Sequence, residues 1–421
     1  MERCKLKIRN RLLLFTLIFT LVFSTTAFAA AKPLELIGQA AISVDMDTSE
    51  IIYTKNIDNK MYPASITKLI TALLLAENKA STDNLLYTET AKKQPPYSYN
   101  LNVHPIAIGD TMSADNVMDA LLLYSGNDIA YMIADNIGGD TSNFAKMMNA
   151  KALALGMKGS NFITPNGLDD INDKHFTTPY DLTILGRAAY KNDWVKQSMA
   201  KKTSTIKSTN GPEAIVENRN KLLGVAGNVG GKTGYTLKAG RCLVAIYERN
   251  GRRIIGVVMN SENDAKDTKV FEDMQKLIDF SYTAKKEVLH KKDTVIKTIS
   301  VAYNVIPFLG PERTVNVPLV SKEDVTFYNN DVKTQTAIKA DSESAWKLNK
   351  ENPVATLDFK QRDAQKNYKL YPTISKSTLI KDNIIIYAAA VIILIVVLAL
   401  IMLLIVSINR RKNRGGRRMR F

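Results

Sequence analysis

Three short strings, Ser65-Ile66-Thr67-Lys68, Ser125-Gly126-Asn127 and Lys232-Thr233-Gly234, follow one another in a chain of 421 residues that has only three histidines, His104, His175 and His290. A serine hydroxyl needs a base before it attacks a carbonyl at neutral pH, and these strings supply lysines and a second serine instead of an imidazole. Positions i and i+3 share one face of a helix, so Ser65 and Lys68 bring hydroxyl and amine within hydrogen-bond reach. A free lysine keeps its proton up to a pH of about 10.4. Burial and a second nearby cation lower that value, and Lys232 is the obvious second cation, so Lys68 can accept the serine proton. A helix N-terminus adds a favourable field and N–H groups for a developing oxyanion. This is the chemistry of a Ser/Lys acyl-transfer enzyme.

Other readings of the same residues fare worse. Ser-x-x-Lys occurs by chance on many helices, but here Ser65, Thr67, Lys68 and Thr71 interrupt an apolar stretch and need a reason to be there. Ser125 and Asn127 fall between two apolar helical runs, where they either cap a helix or are presented by a loop. Gly230-Gly231-Lys232-Thr233-Gly234 resembles a phosphate-binding loop, yet Ala226 stands where its first glycine is required, and the segment precedes a strand. The flanking glycines fit an edge strand against which a peptide lies close. No G-x-S-x-G elbow, H-E-x-x-H string or paired Cys/His spacing occurs, so neither metal nor cofactor is expected, and each histidine reads as a surface or packing residue.

The elements that must position these groups are legible in outline. Ala41–Met46 and Glu50–Tyr53 read as a hairpin. From Pro63 the pattern changes period, with Ile66, Leu69, Ile70, Leu73 and Leu74 at helical spacing, which predicts Ser65 in the first turn of a buried helix. A helical region over Ala114–Ile137 should break at residues 125–128, and Thr141–Leu155 and Thr178–Tyr190 are further helices. Strands follow over Val229–Tyr247 and Arg252–Asn260 around a turn at Arg249-Asn250-Gly251, then a helix over Asp267–Tyr282. An early hairpin, a helical cluster and late strands give an α+β domain. Residues 284–375 alternate like strands and contain none of the three strings, which suggests a small β domain acting as a spacer.

The two ends read as membrane topology. Arg3, Lys5, Lys7, Arg9 and Arg11, an apolar run from Leu12 to Phe23 and Ala27-Phe28-Ala29-Ala30-Ala31 make a secretory signal over residues 1–31. Residues 384–408 form an apolar stretch, about 37 Å long as a helix, that can span a bilayer. Seven basic residues from Arg410 to Arg420 follow, so the positive-inside rule puts the C-terminus in the cytoplasm and the preceding body outside. Of the net charge of +16, the leader carries +4 and the tail +7, leaving +5 for the rest. Orientation and anionic lipid explain that basicity, and no nucleic-acid partner is expected. With Cys4 in the leader, Cys242 is alone and no internal disulfide forms; it reads as a small buried hydrophobe.

Taken together, the strings resemble the penicillin-recognising serine D-Ala-D-Ala carboxypeptidases, the low-molecular-mass penicillin-binding proteins. The likeness extends to Tyr62-Pro63-Ala64 before Ser65, Thr164-Pro165-Asn166-Gly167-Leu168, Thr178-Pro179-Tyr180-Asp181-Leu182, Asn218-Arg219-Asn220-Lys221-Leu222-Leu223, and Tyr235-Thr236 with Ala239-Gly240. The resemblance implies a transpeptidase/β-lactamase-like α+β catalytic domain over residues 32–283, and the patterns read above add a β domain over 284–375, a linker over 376–383, a transmembrane helix over 384–408 and a basic tail over 409–421. It implies that Ser65 attacks the bond between the terminal D-alanines of a peptidoglycan stem peptide, with Lys68 as base and Ser125 relaying the proton. Asn127 would hold the substrate amide, Lys232 and Thr233 would bind the terminal carboxylate or tune the site, and Gly234 and Tyr235 would complete the substrate-binding strand. The backbone N–H groups of Ser65 and Tyr235 would form the oxyanion hole, and β-lactams would acylate Ser65. Two departures stand out: Val270, beside Lys269, occupies a place where the family often has an arginine for the carboxylate, and a full span replaces an interfacial anchor. A class A β-lactamase is the nearest rival, but no Glu-x-x-Leu-Asn lies between Asn127 and Lys232; a non-catalytic wall-binding sensor is the other.

Overall fold

The computed structural model describes residues 34–95, 106–169, 173–307, 309–341 and 344–416. The expected signal, His104 and the end of the basic tail lie outside them. The expected hairpin is present as β1 (Ala40–Asp45) and β2 (Ile51–Lys55). Its turn is tied by the Asp45 carboxylate, which accepts the N–H groups of Asp47 and Thr48. Helix α1 (Lys68–Asn78) is buried through its first eight residues, as its apolar pattern requires. Ser65, however, lies ahead of it, in a 3₁₀ turn over Ala64–Thr67. Such a turn has three residues per revolution, so Ser65 and Lys68 eclipse more closely than on an α-helix.

Helix α2 (Ala114–Asp119) passes into a π turn over Ala120–Tyr124, and the chain reverses at Ser125, where φ is +72°. Helix α3 starts at once (Asn127–Gly138). The break is therefore narrower than the expected residues 125–128: it consists of Ser125 and Gly126, and Asn127 and Asp128 already belong to the first turn of α3. Helices α4 (Thr141–Leu155) and α5 (Pro179–Lys191) follow the expected bounds closely. Thr178 caps α5 by accepting the Asp181 N–H, with Pro179 inside the first turn.

Three long strands complete the first body: β3 (Asn228–Thr236), β4 (Gly240–Arg249) and β5 (Arg252–Ser261). They join the hairpin in an antiparallel sheet of order β2-β1-β5-β4-β3, which leaves β3 at an edge. Asn250 and Gly251 both take positive φ in the β4–β5 turn, as a tight hairpin demands. Helix α6 (Lys269–Thr283) packs on one face of the sheet, while α5 and the helical cluster cover the other.

Residues beyond α6 build a second antiparallel sheet from β6 (Val295–Ile306), β7 (Leu309–Ser321), β8 (Gln335–Ala340), β9 (Ala355–Gln361) and β10 (Ala364–Pro372), in the order β6-β7-β10-β9-β8. It encloses its own core of Val305, Val317, Leu319, Leu357, Tyr368 and Leu370. The segment leading into β8 runs along β2, where Asn330 Nδ2 donates to Ile51 O at 2.7 Å and Asp331 N to Thr54 Oγ1 at 3.2 Å. Such a cover blunts an edge strand. Residues 376–383, expected as a linker, carry more order than that word implies: α7 spans Lys376–Asp382, and Leu379 and Asn383 are buried. Asn383 Nδ2 donates to the Tyr303 hydroxyl at 2.7 Å and its Oδ1 accepts Arg313 Nη1 at 2.9 Å. Helix α8 (Ile384–Gly416) begins directly afterwards and contains one exposed segment, Ile384–Arg411, long and apolar enough to cross a bilayer.

Candidate active site

The catalytic turn is held in an unfavourable backbone conformation. Ala64 has φ +49°, in the left-handed region, which costs a non-glycine residue roughly 1–2 kcal/mol. Two glycines press against it. A Cβ on Gly234 of β3 would stand 2.9 Å from Pro63 O, and one on Gly167 would stand 1.9 Å from Ala64 O and 2.7 Å from Thr67 Oγ1. Edge strand and loop thus clamp the serine turn from two sides. Below it, His175 is buried, and its Nδ1 accepts the N–H groups of Ile163 and Thr164. Its Nε2–H is therefore aimed at Thr67 Oγ1, 2.9 Å away. Burial lowers His175 to about 4, so the ring stays neutral and keeps this tautomer.

Lys68 has no exposed surface. Its Nζ lies 2.8 Å from Ser65 Oγ, 2.8 Å from Asn127 Oδ1 and 2.9 Å from the backbone carbonyl of Asn166. Burial holds its pKa well below the usual lysine value, the Lys232 charge adds to that, and the Asp128 carboxylate opposes it. Thr71, one turn further along α1, donates to Pro165 O at 2.7 Å. The polar residues that interrupt the apolar run thus all face the 163–168 loop or the serine.

Lys232 is buried in β3 and donates from Nζ to Ser125 Oγ at 3.0 Å and to Thr233 O at 3.1 Å. Burial, then the positive charge of Arg219, brings it down to about 7. The φ of +72° at Ser125 turns that hydroxyl back toward the strand. Ser65, Lys68 and Asn127 thus form one hydrogen-bonded group and Ser125 and Lys232 a second. Side chains alternate along a strand, so Thr233 and Tyr235 face away from Lys232. Thr233 is half-buried, and Tyr235 lies opposite Arg241, whose guanidinium sits 4.4 Å from the ring centre.

At the start of α6, Val270 is buried and Lys269 is 3.6 Å from Glu272. Cys242 is buried across from Gly234, and burial pushes its thiol up to about 12. The sequence reading passed over three contributors. Asn166 acts through a backbone carbonyl, which no side chain announces. Asp128 is an acid at the head of a buried helix, and an unexplained carboxylate in an apolar run is a usable signal. His175 reads from sequence as a surface or packing residue, whereas its buried bonds reach the turn through Thr67.

Known proteins with this architecture point one way. A sequence profile described as D-alanyl-D-alanine carboxypeptidase matches residues 26–263. The chain is 26% identical over 333 residues to the D-alanyl-D-alanine carboxypeptidase DacF of Bacillus subtilis, spanning 76% of this chain and 83% of the relative. The crystal structure of penicillin-binding protein D2 from Listeria monocytogenes, in its cefotaxime-bound form, aligns with a TM-score of 0.53 at 30% identity over 60% of this chain and all of that one. The crystal structure of DacD from Francisella tularensis shares the fold over 81% of this chain and 93% of its own length, with a TM-score of 0.59 at 21% identity. With more than half of its length matched and a Ser/Lys site in place, the chain belongs to the D-alanyl-D-alanine carboxypeptidase family of serine peptidases.

Proposed function

We propose that this protein removes the terminal D-alanine from peptidoglycan stem peptides through an acyl-enzyme on Ser65, and that β-lactams are trapped there. The supporting observation is the set of partners around Lys68 Nζ. Asn127 Oδ1 and Asn166 O are obligate acceptors, so a neutral amine spends both N–H bonds on them and turns its lone pair to the Ser65 hydroxyl. That is the geometry of a general base. Ser65 Oγ then bonds to the carbonyl carbon while its proton passes to Lys68. Ser125, held by Lys232, relays a proton to the leaving D-alanine, and water later releases the acyl group. Asn127 holds the substrate amide, and the N–H groups of Ser65 and Tyr235 receive the oxyanion. Lys232 supplies the charge on the carboxylate side, and Thr233 and Gly234 flank it along the strand edge.

Residues 32–283 are the catalytic domain and 284–375 a spacer. Segment 384–408 crosses the cell membrane, with the tail from 409 in the cytoplasm and the catalytic domain outside. The test is intact-mass measurement on the detergent-solubilised full chain. Penicillin should add one equivalent that peptide mapping places on Ser65, and a D-Ala-D-Ala peptide should lose D-alanine. An adduct on another residue overturns the assignment, and fast penicillin turnover with no lasting adduct favours the β-lactamase reading.

A pH dependence follows from Lys232. Its ammonium is present below a pH of about 7 and is lost above it, so the charge that attracts a substrate carboxylate fades as pH rises. KM for a free-carboxylate peptide should climb from pH 7 toward pH 9, by up to about tenfold per unit. A flat profile removes Lys232 as the charged anchor.

A further inference from the structure

Asp128 is a carboxylate that the reaction as described leaves unused. It follows Asn127 in the first turn of α3 and is only 1% exposed. Its Oδ2 accepts the Tyr87 hydroxyl at 2.9 Å, and its Oδ1 lies 3.2 Å from where a Cβ on Gly126 would stand. The carboxylate is thus folded against the Ser125–Gly126 turn, behind the residue that holds Lys68. A buried acid is costly, and surface helices satisfy their N-termini with exposed ones, so capping alone does not account for placing it here.

We infer that Asp128 is the buried counter-charge of acylation: its carboxylate stabilises the ammonium that forms on Lys68 as Ser65 gives up its proton. The inference rests on the Ser65/Lys68 reading above. In the step, the Ser65 O–H bond breaks, an Nζ–H bond forms on Lys68, and Oγ bonds to the carbonyl carbon as its π pair moves to oxygen. Asp128 takes no proton and touches no reacting atom; it is a positioning residue that acts through Lys68. Before the step the amine is neutral, and after it a cation exists inside the protein, which is where a fixed opposite charge has most effect. The charged and titratable groups facing this region are Lys68 on α1, Lys232 on β3, Tyr87 ahead of α2, Tyr124 in the π turn and Arg219, whose guanidinium lies 4.6 Å over the Tyr124 ring. Among these described groups Asp128 is the acid, and it opposes Lys232 in its effect on Lys68.

The experiment is the pH profile of penicillin acylation on the detergent-solubilised full chain, wild type against Asp128→Asn. Without the carboxylate the Lys68 ammonium is less stable, so the acid limb should move to lower pH by about one unit. The plateau should fall by about 10–100-fold, because the cation in the transition state has lost its partner. Asp128→Glu, which keeps the charge, should restore the wild-type midpoint. A lowered plateau with an unmoved midpoint overturns the inference, since a purely structural defect behaves that way. If Asp128→Asn fails to fold, Asp128→Glu decides alone: a midpoint kept within about 0.3 unit supports the counter-charge, and one displaced downward by about a unit refutes it. Failure of the underlying reading looks different, because the wild type itself would then form no Ser65 adduct.

Discussion

Lys68→Ala should leave a folded protein that penicillin acylates at least ~10³-fold more slowly than the wild type. The side chain contributes in two ways. In the proposed step it removes the Ser65 proton as a neutral amine, a role worth about 10²–10⁴ in rate, and its bonds to Asn127 and Asn166 tie the serine turn to α3 and to the 163–168 loop. Truncation loses both. The fold should tolerate the change: the two acceptors left without a donor cost about 1–3 kcal/mol each if dry, and the space vacated beside them is polar enough to take a water. Stopped-flow acylation with a fluorescent penicillin, read beside the melting temperature, separates the outcomes. Unchanged acylation would remove Lys68 as the base, and a collapsed melting transition would show that its bonds, rather than its proton chemistry, dominate.

Gly167→Ala should be nearly as damaging without touching any reacting group. Its φ of +88° and a Cβ 1.9 Å from Ala64 O make the substitution doubly unfavourable, because the neighbour that must yield is backbone of the serine turn. A displacement of about 1 Å at a reacting atom costs on the order of 10² in rate. Gly156 provides the control, with the same φ of +88° and open space where its Cβ would go. Gly156→Ala should therefore destabilise by only about 1–2 kcal/mol and leave acylation within twofold of the wild type. Gly167→Ala should lose both stability and acylation. Equal acylation rates in the two variants would show that the loop does not set the turn.

The contrast between these two glycines also shows what a sequence discloses. Ser65, Lys68, Ser125 and Lys232 are legible as a cluster because they are polar groups among apolar neighbours, so burial and mutual approach follow from composition. The edge position of β3 is legible for a related reason, since glycines around Lys232 and Thr233 let another chain lie close to the strand. The 3₁₀ turn at Ser65 is not, because its geometry is imposed by Gly167 and Gly234 from distant parts of the chain, and the same residues elsewhere would continue an α-helix. The Asn166 carbonyl is hidden for a deeper reason: every residue has one, and only the tertiary fold selects which one meets an amine. Likewise, alternation in residues 284–375 predicts strands, but β8 joins β9 and not its predecessor β7, a pairing that depends on long-range closure rather than on local pattern.

The join between α7, α8 and the second sheet bears on where in the wall this enzyme can work. Asn383 is bonded to Tyr303 and Arg313, and the Tyr387 hydroxyl, one turn into α8, donates to Val305 O at 2.5 Å. The segment that leads into β8 is in turn bonded to β2 of the first sheet through Asn330 and Asp331. Such a mount behaves as a mast rather than a tether. If α8 is seated in the bilayer as proposed above, the serine would travel sideways at one altitude, reaching the stem peptides that lie at that height and leaving more distant ones until growth of the wall carries them into its plane.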